Sequence, residues 1–375
     1  MQLKSMKYWQ YEGKPKEWKL DSFTLEDINL IVGRNATGKS RTLSVISGLG
    51  KLLTSETPLA WITGNYEVCF DNNGKKIKYN LHYEDRKVLE EKLVIDEKNM
   101  LDRRSGGKGT IYAEKLGKHI DFQAPENQLA CVTRRDNIQH PYFDDLYEWG
   151  KNLRYYRFGE KLGQEYFAPL KKEDSKNSLD LKDANQVVTI FLEGKRAYEK
   201  EFIECIKSDM GRIGFEIEDI QFGLPSDLIL SLPIERVGCL ILKEKDLAAY
   251  TEQQELSQGM FRALSLIIQI NYSQLASIPS CILIDDIGEG LDYERSSNLI
   301  KLLIEKAKKS TVQLITSTND RFVMNNVPLE YWCVIQRISN VSKIYNHRNA
   351  KKQFENFELT GLSNFDFFTS GAFEE

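Results

Sequence analysis

Residues 31–40 read "IVGRNATGKS". The last eight fit the spacing G-x-x-x-x-G-K-S, running from Gly33 through Gly38 and Lys39 to Ser40. Upstream, Ile28, Leu30, Ile31 and Val32 form a short apolar run of strand type. Downstream, "RTLSVISGLGKLL" repeats Leu43, Ile46, Leu49 and Leu53 at helical spacing. Strand, loop and helix in that order form the context in which this spacing binds phosphates. The run Gly33, Arg34, Asn35, Ala36, Thr37, Gly38, Lys39, Ser40 and Arg41 is therefore the candidate phosphate cradle. Its glycines let backbone N–H groups turn inward, and the helix N-terminus adds partial positive charge beneath an anion. Lys39 is placed to neutralise the β- and γ-phosphates of a nucleotide, and Ser40 to offer its hydroxyl to Mg²⁺. An accidental match is the alternative, and the strand and helix flanks weigh against it.

The bulk properties limit what else the chain can be. Its 375 residues, 41% of them apolar, suffice for two or three domain-sized units or for one domain with insertions. No apolar run approaches the ~20 residues that cross a bilayer, and the N-terminus "MQLKSMKYWQYEGK" lacks the apolar centre of a signal peptide. A soluble, cytoplasmic protein with no membrane partner is expected. The six cysteines (Cys69, Cys131, Cys205, Cys239, Cys281 and Cys333) are far apart and several lie in apolar runs, so they read as reduced core residues rather than zinc ligands. A net charge of −4 argues against a uniformly basic nucleic-acid binder and leaves local patches open.

A phosphate loop of this kind needs an acidic residue at the tip of a neighbouring buried strand to hold magnesium. "CILIDDIGEGLD", residues 281–292, supplies one. Cys281 to Ile284 predict a buried parallel strand. Asp285, at its end, is the candidate magnesium partner, and Asp286 stands where a general base would. Two adjacent carboxylates on a surface turn are the plainer reading, disfavoured by the apolar run that leads into them. "TVQLITSTNDRF" then predicts another buried strand, Val312 to Ile315, ending near Thr318, Asn319 and Asp320. Asn319 reads either as a γ-phosphate sensor or, with Asp320, as the cap of the next helix.

Between these motifs lies "LSQGMFRALSLIIQI", residues 256–270. Ser257 is a good N-cap for a buried helix marked by Leu264, Ile267 and Ile268. Ser257, Gln258 and Gly259 thus form a second anion-binding helix start, redundant within one protomer and useful across a dimer. "GRNATGKS", "LSQGM" and "CILIDDIGEGLD", in this order, resemble the Walker A, signature and Walker B plus D-loop segments of ABC-type ATPases, especially the stand-alone proteins related to OLD, RecF and SMC heads. The resemblance covers roughly residues 18–130 and 235–340. It implies an α/β P-loop NTPase head with an antiparallel β-subdomain and a helical insertion. It also implies ATP and Mg²⁺ sandwiched between Lys39, Ser40 and Asp285 of one protomer and Ser257, Gln258 and Gly259 of the other.

The departures from that family pattern bear on turnover. Asp285-Asp286 replaces the usual Asp-Glu, which shortens the candidate base by one methylene, with Glu289 a nearby substitute. Asn319 stands where the family's switch histidine is expected. Both changes predict slow hydrolysis. For the family's glutamine loop, which contributes a magnesium ligand, the candidates are Gln128 and Gln123, and a surface amide is the alternative reading of each.

The intervening sequence is less specific. From Trp61 to about Phe122 the alternation in "KIKYNLHY" predicts antiparallel strands, and "MLDRRSGGKGT" reads as a flexible basic loop carrying Arg103, Arg104 and Lys108. Residues 139–215 read mostly helical, with a strand-like "LRYYRFG", a polar link "KKEDSKNSLDLKDANQ", and an amphipathic arm around Val188, Phe191, Ala197, Phe202 and Ile206, suited to oligomerisation or partner docking. The aromatic tail after residue 340 reads as core packing or as a docking strip. These expectations divide the chain into an ATPase lobe at 1–135, a helical insertion at 136–230, a second ATPase lobe at 231–345 and a C-terminal extension at 346–375. The resemblance implies an ATPase that dimerises around ATP and regulates a separate effector in bacterial anti-phage defence. The alternative is a DNA-repair or DNA-maintenance ATPase that clamps DNA.

Overall fold

A computed structural model describes residues 1–57, 59, 62–169, 179–225, 237–278 and 281–374. Its centre is a mixed sheet of 14 strands. Cys281–Asp285, Gln313–Thr318 and Ile28–Val32 lie side by side and parallel, with Leu153–Arg157 on the outer flank and Trp332–Ile338 on the inner one, both also parallel. Val341–Asn346, Trp18–Thr24 and Gln2–Gln10 carry the sheet onward. The antiparallel ladder Thr63–Asn72, Lys75–Glu84, Lys87–Ile95, Lys98–Arg104, Lys108–Ala113 and Lys118–Gln123 completes it.

The apolar runs of the parallel strands follow from burial on both faces. In Ile28–Val32, Ile28, Leu30 and Val32 join the core on one face of the sheet, while Ile31 joins the other. Cys281 and Leu283 likewise alternate with Ile282 and Ile284. The helix Lys39–Leu53 packs on one face. The helices Val187–Ile213, Gln258–Leu275 and Tyr293–Lys308 cover the other.

Several expectations change here. The segment 136–230, expected as a helical insertion, also supplies Leu153–Arg157 to the central sheet. The amphipathic arm is not a projecting one. Its helix breaks at Glu199 (φ 45°, ψ −121°), and the Phe202 ring returns against Gly194 and Phe191. Phe202 and Ile206 need apolar cover, and packing against the helices Gln258–Leu275 and Tyr293–Lys308 provides it. Trp61, residues 171–178 of the polar link and the 230/231 boundary lie outside the described residues. The tail packs as core, with Phe354, Phe357, Phe367 and Phe373 buried.

Arg103, read as part of a flexible basic loop, is fully buried in the strand Lys98–Arg104. Its guanidinium pairs with Glu91 at 3.2 Å and donates to the carbonyls of Pro125 and Gln128. Glu91 also accepts from Tyr79 Oη and from the backbone N–H groups of Ala130 and Cys131. Removing one partner leaves an uncompensated buried charge. Arg103→Leu is accordingly expected to lower stability by about 3–5 kcal/mol, read from the urea unfolding midpoint. An unchanged midpoint would refute this role.

Candidate nucleotide site

The strand Ile28–Val32 delivers the loop to the C-terminal edge of the parallel strands, where Val32 pairs in register with Thr318. Within the loop, Ala36 and Gly38 both take positive φ (63° and 112°). Alternating left- and right-handed residues curl successive N–H groups to one side, a concavity that binds anions. Gly38 caps the helix Lys39–Leu53 in this left-handed conformation, which disfavours any side chain there. The Lys39 ammonium donates to the carbonyls of Gly33 (2.9 Å) and Arg34 (3.2 Å) and is buried across the loop mouth. Burial lowers its pKa, against the opposing pull of Asp286 and Asp285.

Asp285 is the hub. Its Oδ1 accepts from Ser40 Oγ at 3.1 Å and from Ser317 Oγ, and its Oδ2 accepts from Tyr155 Oη at 3.4 Å. Tyr155 Oη lies 3.4 Å from Ser44 Oγ, which ties the Leu153–Arg157 strand to the P-loop helix. The Ser40 hydroxyl and Asp285 carboxylate are hard oxygen donors of the kind magnesium takes alongside phosphate and water. When bound, the ion would neutralise phosphate charge. Ser40 and Asp285 would be the residues to hold it.

Asp286 follows in left-handed conformation (φ 53°), its N–H bonded to Ser317 Oγ at 3.0 Å. Its Oδ1 is buried with no hydrogen-bond partner among the described residues. Burial raises its pKa, the Asp285 charge adds to that, and Lys39 opposes it. Asp286 lines a cleft of about 420 Å³ with Ile287, Glu289, Thr318, Asn319 and Asp320. Two expectations separate at this point. Asp320 caps the helix Arg321–Asn325, its carboxylate accepting from Phe322 N. Asn319 takes no part in that cap and stays exposed on the cleft. Glu289 is exposed on the turn after Asp286.

Gln128 is not brought to this site. It lines a groove with Leu52, Ser55 and Leu59, at the C-terminal end of the P-loop helix. Fifteen residues of helix place that end about 22 Å from the phosphate loop, so Gln128 cannot share a magnesium ion with Ser40. Gln123 ends the outermost antiparallel strand. The strand tip beside Asp285 is instead Arg157, with Tyr155 two residues before it. Tyr155 and Ser317 were missed as Asp285 partners, because only the strand order places them there.

Ser257 caps the helix Gln258–Leu275, accepting from Met260 N at 3.3 Å. No hydrogen bond or ion pair joins Ser257, Gln258 or Gly259 to residues 33–41 among the described residues. The helix start packs on its own chain's turn after Asp286, where a Cβ on Gly259 would lie 2.4 Å from the Gly290 carbonyl oxygen. Buried Arg262 fixes this arrangement, donating to the carbonyls of Gly159, Glu160 and Glu289.

Against solved structures, an SMC head bound to the C-winged helix domain of ScpA matches 94% of this chain and 100% of its own, with a TM-score of 0.53 at 13% identity. The fold is that of an SMC head. The SMC head domain from Thermotoga maritima matches at TM-score 0.46 and 16% identity, covering 92% and 99%. An Smc head with an extended coiled coil, bound to the C-terminal domain of ScpA derived from Pyrococcus furiosus, matches at 0.49 and 14%, covering 95% and 99%. No protein-family model and no curated protein matches the sequence. No described helix is long and apolar enough to cross a membrane. In this fold the glycine-rich loop, Asp285 and Asp286 meet at the C-terminal ends of the parallel strands.

Proposed function

We propose that the chain binds ATP with Mg²⁺, closes into a homodimer around it and hydrolyses it slowly. The orphaned Asp286 carboxylate oxygen, buried beside Asp285 and Lys39 on an open cleft, carries this reading. A carboxylate with raised proton affinity, facing the space beyond a phosphate loop, suits a base that orients and deprotonates an attacking water. Aspartate in place of glutamate, and Asn319 in place of a histidine, support slow turnover. Closure between two copies is supported by the capped helix start at Ser257, whose anion-binding end makes no bond to its own phosphate loop.

The likeness to an SMC head bound to a ScpA domain supports a separate protein partner on the head. In the effector reading, closure would switch that partner, as in an anti-phage system. The shared SMC-head fold equally supports a DNA-maintenance clamp. ATP-dependent, salt-sensitive DNA binding would favour the clamp; a stoichiometric partner protein co-purifying from the native host would favour the effector reading.

Ser257→Arg tests the sandwich. The variant is expected to bind ATP as one protomer within about three-fold of wild type. Its ATP-dependent doubling of mass, read by light scattering after size exclusion, should vanish. A variant that still doubles in mass with ATP refutes the composite site.

A further inference from the structure

The Arg41 side chain points away from the magnesium end of the loop. Its guanidinium lies over the Trp18 indole at 4.1 Å from the ring centroid. Trp18 is buried on the strand Trp18–Thr24, and its Nε1 donates to Ser342 Oγ, which donates in turn to the Thr37 carbonyl. The same ring is 3.4 Å from where a Cβ on Gly38 would sit. Trp18 is therefore a rigid floor under both the loop and Arg41. No hydrogen bond or ion pair engages Arg41 among the described residues. Burial lowers its proton affinity; Tyr8 opposes that lowering, while the nearby Arg337 adds to it. A half-buried guanidinium with no acceptor, one face on an indole, is set to receive a further planar group on its other face.

The sheet order says which part of a nucleotide arrives there. Asp285 lies two strands to one side of the P-loop strand, and Trp18 three strands to the other. At about 4.8 Å per strand, a phosphate chain whose terminal group sits at Asp285 and Asp286 runs across the loop and leaves its nucleoside on the Trp18 side. We infer that Arg41, held over Trp18, contacts the nucleoside end of a nucleoside triphosphate, its other face stacking on the base. This rests on the phosphate-loop reading above, and it makes Arg41 a residue that distinguishes a nucleotide from bare polyphosphate.

Calorimetric titration with Mg-ATP and with inorganic tripolyphosphate tests it on wild type, Arg41→Met, Arg41→Lys and Lys39→Ala. Arg41→Met keeps an apolar stem over Trp18 and removes the guanidinium. It is expected to weaken ATP about ten-fold, the scale of one lost stacking or cation–π contact, and to leave tripolyphosphate within two-fold. Arg41→Lys should fall between wild type and Arg41→Met for ATP, while Lys39→Ala should lose both ligands. Equal losses for the two ligands in Arg41→Met, or no loss for either, overturn the inference. Failure of the wild type to bind either ligand instead overturns the phosphate-loop reading, and this inference with it.

Discussion

Lys39→Ala should lose ATP binding by at least about 100-fold, or about 2.7 kcal/mol at 25 °C. In the structure the ammonium closes the loop mouth by donating to the Gly33 and Arg34 carbonyls, and its burial already weakens its hold on a proton. A triphosphate offers it stronger, charge-assisted acceptors. Among the described residues no other cation has its side chain inside the loop, because Arg41 turns to Trp18 and Arg34 is exposed. Thermal unfolding gives an independent reading. ATP at 100 times the wild-type dissociation constant adds about 2.7 kcal/mol to wild-type stability, and should add almost nothing to the variant. A normal ATP-induced shift in Lys39→Ala would mean that nucleotide binds elsewhere.

The second large effect concerns the base. Asp286→Asn should slow ATP hydrolysis by about 100-fold or more, the lower end of what a positioned base contributes. Asparagine tolerates the left-handed conformation found at 286 as well as aspartate does, so the turn is expected to survive. Removing one of two adjacent carboxylates also relieves repulsion with Asp285. ATP affinity should therefore hold or improve, and the ATP-bound dimer should accumulate. Glu289→Gln, on the exposed turn, should hydrolyse within about three-fold of wild type, since that turn contributes no buried charge to the cleft. Single-turnover rates decide between the two. Collapse in Glu289→Gln with near-normal Asp286→Asn would move the base to Glu289.

Local patterns marked much of this candidate site. The glycine spacing, the Lys39-Ser40 pair, the apolar run into Asp285-Asp286 and the Ser257 cap each depend on a few consecutive residues, whose backbone preferences act over one loop or one helical turn. The structure brings the phosphate loop to Asp285 and Asp286 and leaves Ser257, Gln258 and Gly259 beside the Gly290 turn. Residues whose roles depend on distant partners were harder to read. Arg103 sits in a run of basic and glycine residues that looks solvated, yet Glu91, twelve residues away in the adjacent strand, makes its burial tolerable. Gln128 had a suitable side chain, and nothing nearby in sequence revealed which end of the P-loop helix it would face.

From sequence alone, then, came a candidate phosphate loop, a candidate magnesium carboxylate, a candidate base beside it and a second candidate anion-binding helix start, because each is written in short-range geometry. Tertiary structure alone decided that Tyr155 and Ser317 grip Asp285, that Asp286 keeps an orphaned oxygen, and that Arg41 lies on Trp18. Those relations depend on which strands become neighbours in a 14-stranded sheet. That order is settled by burying apolar surface on both faces at once, a collective property that no short stretch carries by itself.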